Sequence, residues 1–114
     1  MKYKFSTKVH GQEGIYGVEY DSLNEKEKAL FEINSYIWTP KEIQSLIDQS
    51  KALKDEEELE YQVEGGHLLM IIDTKEVYFY DLYNDRQKEQ DFIWTFEEFI
   101  KFLEDFKKFV AENS

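Results

Sequence analysis

Residues 59–83 constrain the fold more than any other part of the chain, because strand-like apolar patterns there alternate with turn residues. Residues 59–63 place apolar side chains at every second position, which predicts a strand with one wet face. Gly65 and Gly66 follow, and a glycine pair readily adopts the positive φ angles of a two-residue hairpin turn. The first half of the segment therefore predicts a β-hairpin.

The second half of the segment continues this architecture. Residues 67–72 are apolar at successive positions, so we expect a central strand that is covered on both faces. A polar turn at residues 73–75 leads to residues 76–83, whose β-branched and aromatic side chains favour a third strand. Together the three runs predict a β-meander at the centre of an antiparallel sheet.

Two further strands are predicted near the N-terminus. Residues 2–9 alternate aromatic or β-branched side chains with lysine and serine, which predicts an edge strand protected by its lysines. Residues 15–20 predict a second strand, in which Gly17 indicates a bulge or a close approach of another backbone.

Residues 21–38 carry two competing periodicities. A capping-box pattern from Ser22 to Glu25 would open a short helix through Lys28. The alternation that begins at Ala29 instead predicts a third strand, pairing back on the second one. We favour a strand for residues 29–38 and keep a helix as the alternative.

The first long helix has several start signals in one place. Thr39 and Glu42 form a capping-box pattern, and Pro40 suits the first helical position. Apolar residues then recur at three- and four-residue spacing, which predicts an amphipathic helix over about 40–53.

The second long helix repeats these signals near the C-terminus. A short strand at residues 91–93 precedes Thr95 and Glu98, which form the same capping-box pattern. A wide aromatic stripe follows and predicts an amphipathic helix over about 96–111, with core as the expected role of the stripe.

These elements predict one α+β domain that spans residues 1–114. Its antiparallel sheet has five to six strands around the central meander 59–83, and the helices at about 40–53 and 96–111 pack on it. A chain of 114 residues is long enough to bury most of its apolar surface without disulfides.

Net charge is the most informative bulk property for function. The chain has 25 acidic and 14 basic side chains, which gives a formal charge of −11 at pH 7. Such a charge repels nucleic-acid phosphates and anionic membranes and attracts basic proteins. Aromatic residues make up 17% of the chain, which separates it from a disordered acidic tail.

The residue types present do not form a recognisable catalytic constellation. The chain has no cysteine and only two histidines, His10 and His67, and it lacks a glycine-rich phosphate loop. We therefore expect a non-enzyme with no cofactor and no metal. The opening residues lack the apolar core of a signal peptide, and no apolar run reaches membrane-spanning length, so we expect a cytoplasmic protein.

A short, strongly acidic, cysteine-free α+β chain with an aromatic surface resembles the immunity proteins of bacterial toxin systems, in particular those of contact-dependent growth inhibition. This resemblance implies an antitoxin that binds a cognate basic toxin, a nuclease being the favoured class, and occludes its active site. The alternative is a non-catalytic cytosolic adaptor, or a homodimer formed through the aromatic helix.

A second resemblance is to the uncharacterised YacL-like family of small bacterial proteins. It covers the opening Met1-x-Tyr3-x-Phe5, the strand pattern at residues 76–78 and the closing helix from Glu97 to Val110. This resemblance implies no activity.

The residues expected to bind the partner fall into two groups. The first is an acidic corner between the first helix and the meander, and the second couples tyrosines to acids along the last meander strand. They are Asp55, Glu56, Glu57, Glu58 and Glu60, and Tyr78, Tyr80, Asp81, Tyr83 and Asp85.

Strand alternation leaves the orientation of the second group open. Tyr78 and Tyr80 share one face of their strand, and Asp81 and Tyr83 share the other, so only one pair lies on the outer face. Addition of a partner strand to a sheet edge is an alternative binding mode, in which side-chain charge matters less.

Overall fold

A computed structural model describes residues 4–9, 13–19, 23, 25–62, 66–82 and 92–113. In chain order the elements are β1 (Phe5–Ser6), β2 (Gly17–Val18), a 3₁₀ helix (Glu25–Glu32), α1 (Pro40–Lys51), β3 (Leu59–Gln62), β4 (Leu68–Ile72), β5 (Glu76–Asp81), β6 (Phe92–Thr95) and α2 (Phe96–Asn113). The predicted α+β class is confirmed. The six strands belong to two antiparallel sheets rather than one, a β1-β2 pair and a four-stranded sheet with the order β3-β4-β5-β6.

The predicted meander is confirmed as β3, β4 and β5, which pair in sequence order. Asp73 shapes the turn between β4 and β5, because its carboxylate accepts hydrogen bonds from the backbone N–H groups of Lys75 at 2.8 Å and Glu76 at 2.7 Å. Of the predicted glycine turn between β3 and β4, Gly65 lies outside the described residues.

Among the described residues, both long helices cover the same face of the four-stranded sheet. Every apolar side chain that β4 directs to the inner face is buried, and these residues join the buried side chains of both helices in one core cluster. Leu69 and Ile71, on the opposite face, are only half-buried. The prediction that this strand is covered on both faces is therefore wrong, because the helices contribute their apolar stripes to the same side of the sheet.

The aromatic stripe of α2 lies in the core, as expected. Phe99, Phe102 and Phe106 are fully buried. The ring of Phe5 in β1 packs on this stripe, with centroid distances of 5.8 Å to Phe102 and 5.3 Å to Phe106. These three phenylalanines are therefore enclosed within the chain and unavailable to a second copy.

The two capping boxes differ. At α2 both hydrogen bonds form, from the Thr95 N–H to the Glu98 carboxylate at 3.0 Å and from the Glu98 N–H to the Thr95 hydroxyl at 3.1 Å. At α1 only the bond from the Glu42 N–H to the Thr39 hydroxyl forms, at 3.2 Å.

The second bond predicted at α1 is replaced by a tertiary contact. The Glu42 carboxylate accepts a hydrogen bond from the Tyr61 hydroxyl at 3.2 Å, and the Thr39 N–H donates to the Ile37 carbonyl at 3.0 Å. The box at Thr39 is thus half correct. The helix it opens ends at Lys51, two residues before the predicted end.

The strand predicted at residues 29–38 is wrong. The chain forms the 3₁₀ helix through Glu32 and then a turn. An isolated bridge between Gly17 and Asn34, and a hydrogen bond from the Ser35 N–H to the Tyr16 carbonyl at 2.7 Å, join this turn to the β2 segment. Leu30 and Ile33 are both fully buried at a spacing of three residues, which is the 3₁₀ repeat. The Glu32 carboxylate then accepts from the backbone N–H groups of His67 at 2.7 Å and Leu68 at 3.3 Å, which ties the end of the 3₁₀ helix to β4.

Gly17 occupies a point of close backbone approach, as predicted. A Cβ atom at this position would lie 2.8 Å from the Ile33 carbonyl oxygen, closer than real side chains allow. Only a residue without a side chain fits there. Within the described parts of the predicted strands at 2–9 and 15–20, the strand residues are Phe5–Ser6 (β1) and Gly17–Val18 (β2).

Candidate partner-binding surface

The side of the four-stranded sheet opposite the two long helices, which we call the outer face, carries an apolar centre. Strand register aligns Glu60, Ile71, Tyr78 and Ile93 in one row across all four strands. Leu69 and Tyr80 are paired in an adjacent row. The apolar centre therefore consists of Leu69, Ile71, Tyr78, Tyr80 and Ile93.

Exposure separates the outer face from the inner one. Ile93 is 41% exposed, and the other four residues of the apolar centre are half-buried. The inner-face residues beside them, Met70, Val77 and Phe79, are at most 1% exposed. An apolar surface of this kind, rimmed by charge, is typical of interaction sites.

The Tyr78 hydroxyl contacts a carboxylate at one end of the outer face. The hydroxyl donates a hydrogen bond to the Glu76 carboxylate at 3.4 Å. The charge of Glu76 is the main cause that raises the pKa of Tyr78, followed by desolvation and by the charges of Asp73 and Glu58. These negative charges oppose ionisation of the phenol.

Residues 55–58, which we call the acidic connector, lie beside this end of the sheet. The carbonyl of Asp55 accepts a hydrogen bond from the Thr74 hydroxyl at 3.2 Å, which joins the connector to the β4-β5 turn. The Glu57 carboxylate accepts from the Lys54 N–H at 2.7 Å. All four acidic side chains are exposed.

The structure brings together residues from both predicted groups. Tyr78 and Tyr80 lie on the outer face with Glu60, which answers the question of orientation that alternation leaves open. Asp81 pairs with Leu68 and lies on the inner-face side, where it is half-buried. Tyr83 and Asp85 lie outside the described residues.

Sequence reasoning missed five members of this surface: Leu69, Ile71, Asp73, Glu76 and Ile93. Leu69 and Ile71 belong to a continuous apolar run, which hides the distinction between faces. Asp73 belongs to the predicted polar turn, Glu76 begins the predicted third strand, and Ile93 belongs to a strand far away in the sequence. The signal that finds them is the cross-strand register, which only the pairing of the strands supplies.

A groove lies between the two long helices, apart from the outer face. Cavities of about 420 and 280 Å³ share Lys51 and Glu104 as lining residues. Their walls carry charges of both signs, and Lys107 is engaged by a hydrogen bond to the Gln44 side chain at 2.6 Å. This groove lacks the combination of apolar centre and single-sign charge found on the outer face.

Within the described residues, no group of three histidine, aspartate or glutamate side chains could hold a metal ion, and none of the helices combines the length and the apolar character of a membrane span. Comparisons of the chain with profiles of known protein families, with curated proteins and with solved structures found no match.

Proposed function

We propose that this protein is an immunity protein of the bacterial cytoplasm that binds and neutralises a basic toxin. A nuclease is the favoured toxin class, and the outer face together with the acidic connector is the surface that occludes it. The role is non-catalytic and requires no cofactor. The observation that carries the proposal is the apolar centre of the outer face, where Tyr78 donates to the Glu76 carboxylate and the exposed acidic connector is joined to the adjacent β4-β5 turn.

Charge complementarity supports a basic partner. A nuclease that holds a phosphate backbone presents a cationic cleft, and carboxylates on a rigid sheet can occupy that cleft in place of phosphate. A net charge of −11 also steers such a partner toward the protein, with association rates of order 10⁸ M⁻¹s⁻¹ within reach at low salt.

The apolar centre supplies what charge alone does not. Exposed ion pairs contribute about 0–1 kcal/mol each, so tight binding needs desolvated aromatic anchors. Tyr78 and Tyr80 suit this role because a tyrosine buries a large ring and still hydrogen-bonds through its hydroxyl. Leu69 and Ile71 lie beside them across the strand pair and extend the apolar area.

The size of the outer face explains why the acidic connector belongs to the same surface. Strands spaced about 4.8 Å apart with a rise of about 3.4 Å per residue give the four-stranded face a footprint of roughly 300 Å². A stable complex buries about 800 Å² on each partner. The outer face thus provides under half of the required area, and the exposed connector beside it provides an extension.

The test is inhibition of a basic nuclease, starting with the product of the gene immediately upstream. Purified protein is titrated against the nuclease at several salt concentrations, alone and with the double variant Glu58→Lys, Glu76→Lys. The matched control is Glu97→Lys, Glu104→Lys, which changes net charge equally but alters the exposed side of α2.

We expect the outer-face variant to weaken inhibition at least tenfold, by about 1.4 kcal/mol or more, and the control to stay within about twofold. The affinity of the unmodified protein should fall as salt rises. Equal losses in the two variants would show that bulk charge, and not the outer face, determines binding. No inhibition by the unmodified protein would refute an immunity role toward that toxin.

A further inference from the structure

The two edge strands of the four-stranded sheet differ in how their backbone groups are used. In antiparallel strands, alternate residues direct their N–H and C=O groups to opposite neighbours. The bonds from the Asp73 N–H to the Glu76 carbonyl, and from the Leu82 N–H to the His67 carbonyl, show that odd-numbered residues of β4 face β5. Even-numbered residues of β4 therefore face β3.

This alternation determines which groups β3 leaves unpaired. Leu59 is paired with Ile72 and Tyr61 with Met70, so the backbone groups of Leu59 and Tyr61 face β4. The backbone groups of Glu60 and Gln62 consequently point away from the sheet. Within the described ranges, no backbone group bonds to this edge of β3, and both side chains are exposed.

The opposite edge, on β6, is partly closed. The bond from the Phe96 N–H to the Lys75 carbonyl shows that even-numbered residues face β5, so Ile93 and Thr95 face outward. The Thr95 N–H donates to the Glu98 carboxylate as part of the α2 cap. On β6, only Ile93 keeps an outward N–H group without a described partner. On β3, Glu60 and Gln62 both do.

We propose that β3 accepts an added strand from the partner, and that this strand alternates basic and apolar side chains. This inference rests on the proposed function and specifies how the toxin is held. Residues opposite Glu60 would lie on the outer face beside a carboxylate, which favours lysine or arginine there. The intervening residue would lie beside the half-buried Tyr61, which favours an apolar side chain.

Charge argues against a second copy of this chain as the added strand. Pairing β3 with itself would bring the acidic connectors and Glu60 residues of two chains together, and each chain carries a net charge of −11. Like charges opposite each other destabilise a strand pair. A basic strand relieves this repulsion and completes the backbone bonds of Glu60 and Gln62.

The test uses two short synthetic peptides, one alternating lysine with valine and one alternating glutamate with valine. Each is titrated into the isotope-labelled protein, and amide hydrogen exchange is followed residue by residue. We expect the lysine peptide to slow exchange of the Glu60 and Gln62 amides at least tenfold, because their N–H groups become bonded. The glutamate peptide should leave both rates unchanged.

Variants separate backbone pairing from charge. Glu60→Pro removes the outward N–H without breaking a bond to β4, and a proline is tolerated on an edge strand in this orientation. Glu60→Gln removes the charge alone. We expect Glu60→Pro to bind the lysine peptide at least about threefold more weakly than Glu60→Gln. Glu60→Ala, which also removes the charge but keeps the outward N–H, serves as the control and should bind like Glu60→Gln.

The peptide experiment tests strand addition to β3, and the nuclease experiment tests the immunity role, so the two can fail independently. Perturbation of Tyr78 and Tyr80 without protection of Glu60 and Gln62 would overturn strand addition while the outer face remained the binding surface. No binding of the lysine peptide at millimolar concentration would likewise overturn it. Failure of nuclease inhibition, measured separately, would refute the proposed function and leave the peptide result standing.

Discussion

The two faces of the four-stranded sheet use the same strands for different purposes. On β5, Val77 and Phe79 are fully buried, whereas Tyr78 and Tyr80 between and beside them are half-buried on the outer face. One face is closed by helices and stabilises the fold. The outer face keeps apolar and aromatic side chains partly accessible to solvent beside acidic residues, and these side chains do not belong to the buried core. Alternation along a strand thus separates folding from recognition.

The largest expected effect tests the stabilising role of the inner face. Phe79→Ala should lower the free energy of unfolding by about 3–5 kcal/mol, because it leaves a cavity among the stacked ring of Phe92 and its neighbours. Phe99→Ala should have a similar effect. Ile71→Ala on the outer face should cost distinctly less, about 1–2 kcal/mol, since its site is already half-open. Chemical denaturation measures the free energy of unfolding of all three variants. Equal decreases would contradict the assignment of the stabilising role to the inner face.

The second prediction tests the recognition role of the outer face. Tyr78→Ala should weaken binding to the toxin by at least about 2 kcal/mol, roughly thirtyfold, because it removes a central aromatic anchor. The same change should lower the free energy of unfolding by no more than about 1 kcal/mol. Tyr36→Ala is a suitable control, because Tyr36 is 79% exposed on a turn outside this surface. Equal effects of the two substitutions on calorimetric titrations would contradict the assignment.

The third prediction compares the N-terminal caps of α1 and α2. Thr95→Ala should cost about 1–2 kcal/mol, since it breaks a complete box and the cap at the edge of β6. Thr39→Ala should cost less, about 0.5–1 kcal/mol, because only one of its two bonds exists. Thermal and denaturant unfolding provide the comparison. A larger loss at Thr39 would mean that the capping geometry does not control helix stability here.

The smallest expected effect concerns two tyrosines with different causes for their raised pKa. Burial is the main cause that raises the pKa of Tyr61 on the inner face to about 12, with Glu42 second. Charge from Glu76 is the main cause that raises the pKa of Tyr78 on the outer face. Added salt should therefore lower the pKa of Tyr78 more than that of Tyr61, because salt screens exposed charges and does not restore hydration. Spectrophotometric titration of Tyr61→Phe and Tyr78→Phe separates the two groups.

The raised pKa of Tyr61 also predicts a pH dependence of stability. A group whose folded pKa lies above its unfolded value near 10 contributes stability in full below pH 10. This contribution is lost as pH rises through the folded pKa of about 12. Tyr61 is only half-buried, so solvent screening keeps the loss small. Tyr61→Phe should remove this dependence, and a variant that retained it would assign the effect to another group.

Local signals in the sequence were sufficient for the elements whose physics is local. The meander, the two long helices and the capping hydroxyls of Thr39 and Thr95 follow from alternation, helical spacing and cap chemistry within a few residues. The close approach at Gly17 was also predictable, because a glycine inside a strand pattern has few other uses. The acidic connector was recognisable as a concentrated charge.

The remaining features depended on contacts between distant parts of the chain. Residues 29–38 contain both an alternating and a three-residue pattern, and burial of Leu30 and Ile33 against the core selected the 3₁₀ helix. Glu42 could bond to its own cap or to another partner, and Tyr61, nineteen residues away, took the bond. Tertiary packing determines both features, and local propensity does not predict them.

The candidate surface shows the same division. Composition and charge by themselves determined that a binding surface on this protein would be acidic and aromatic, since residue types do not depend on folding. The tertiary structure decided that Tyr78 and Tyr80 face outward, that Ile93 lies beside Tyr78 and that the Glu76 carboxylate accepts from the Tyr78 hydroxyl. A one-residue change in strand register would have reversed the faces, and register is set only when the strands pair over the helices.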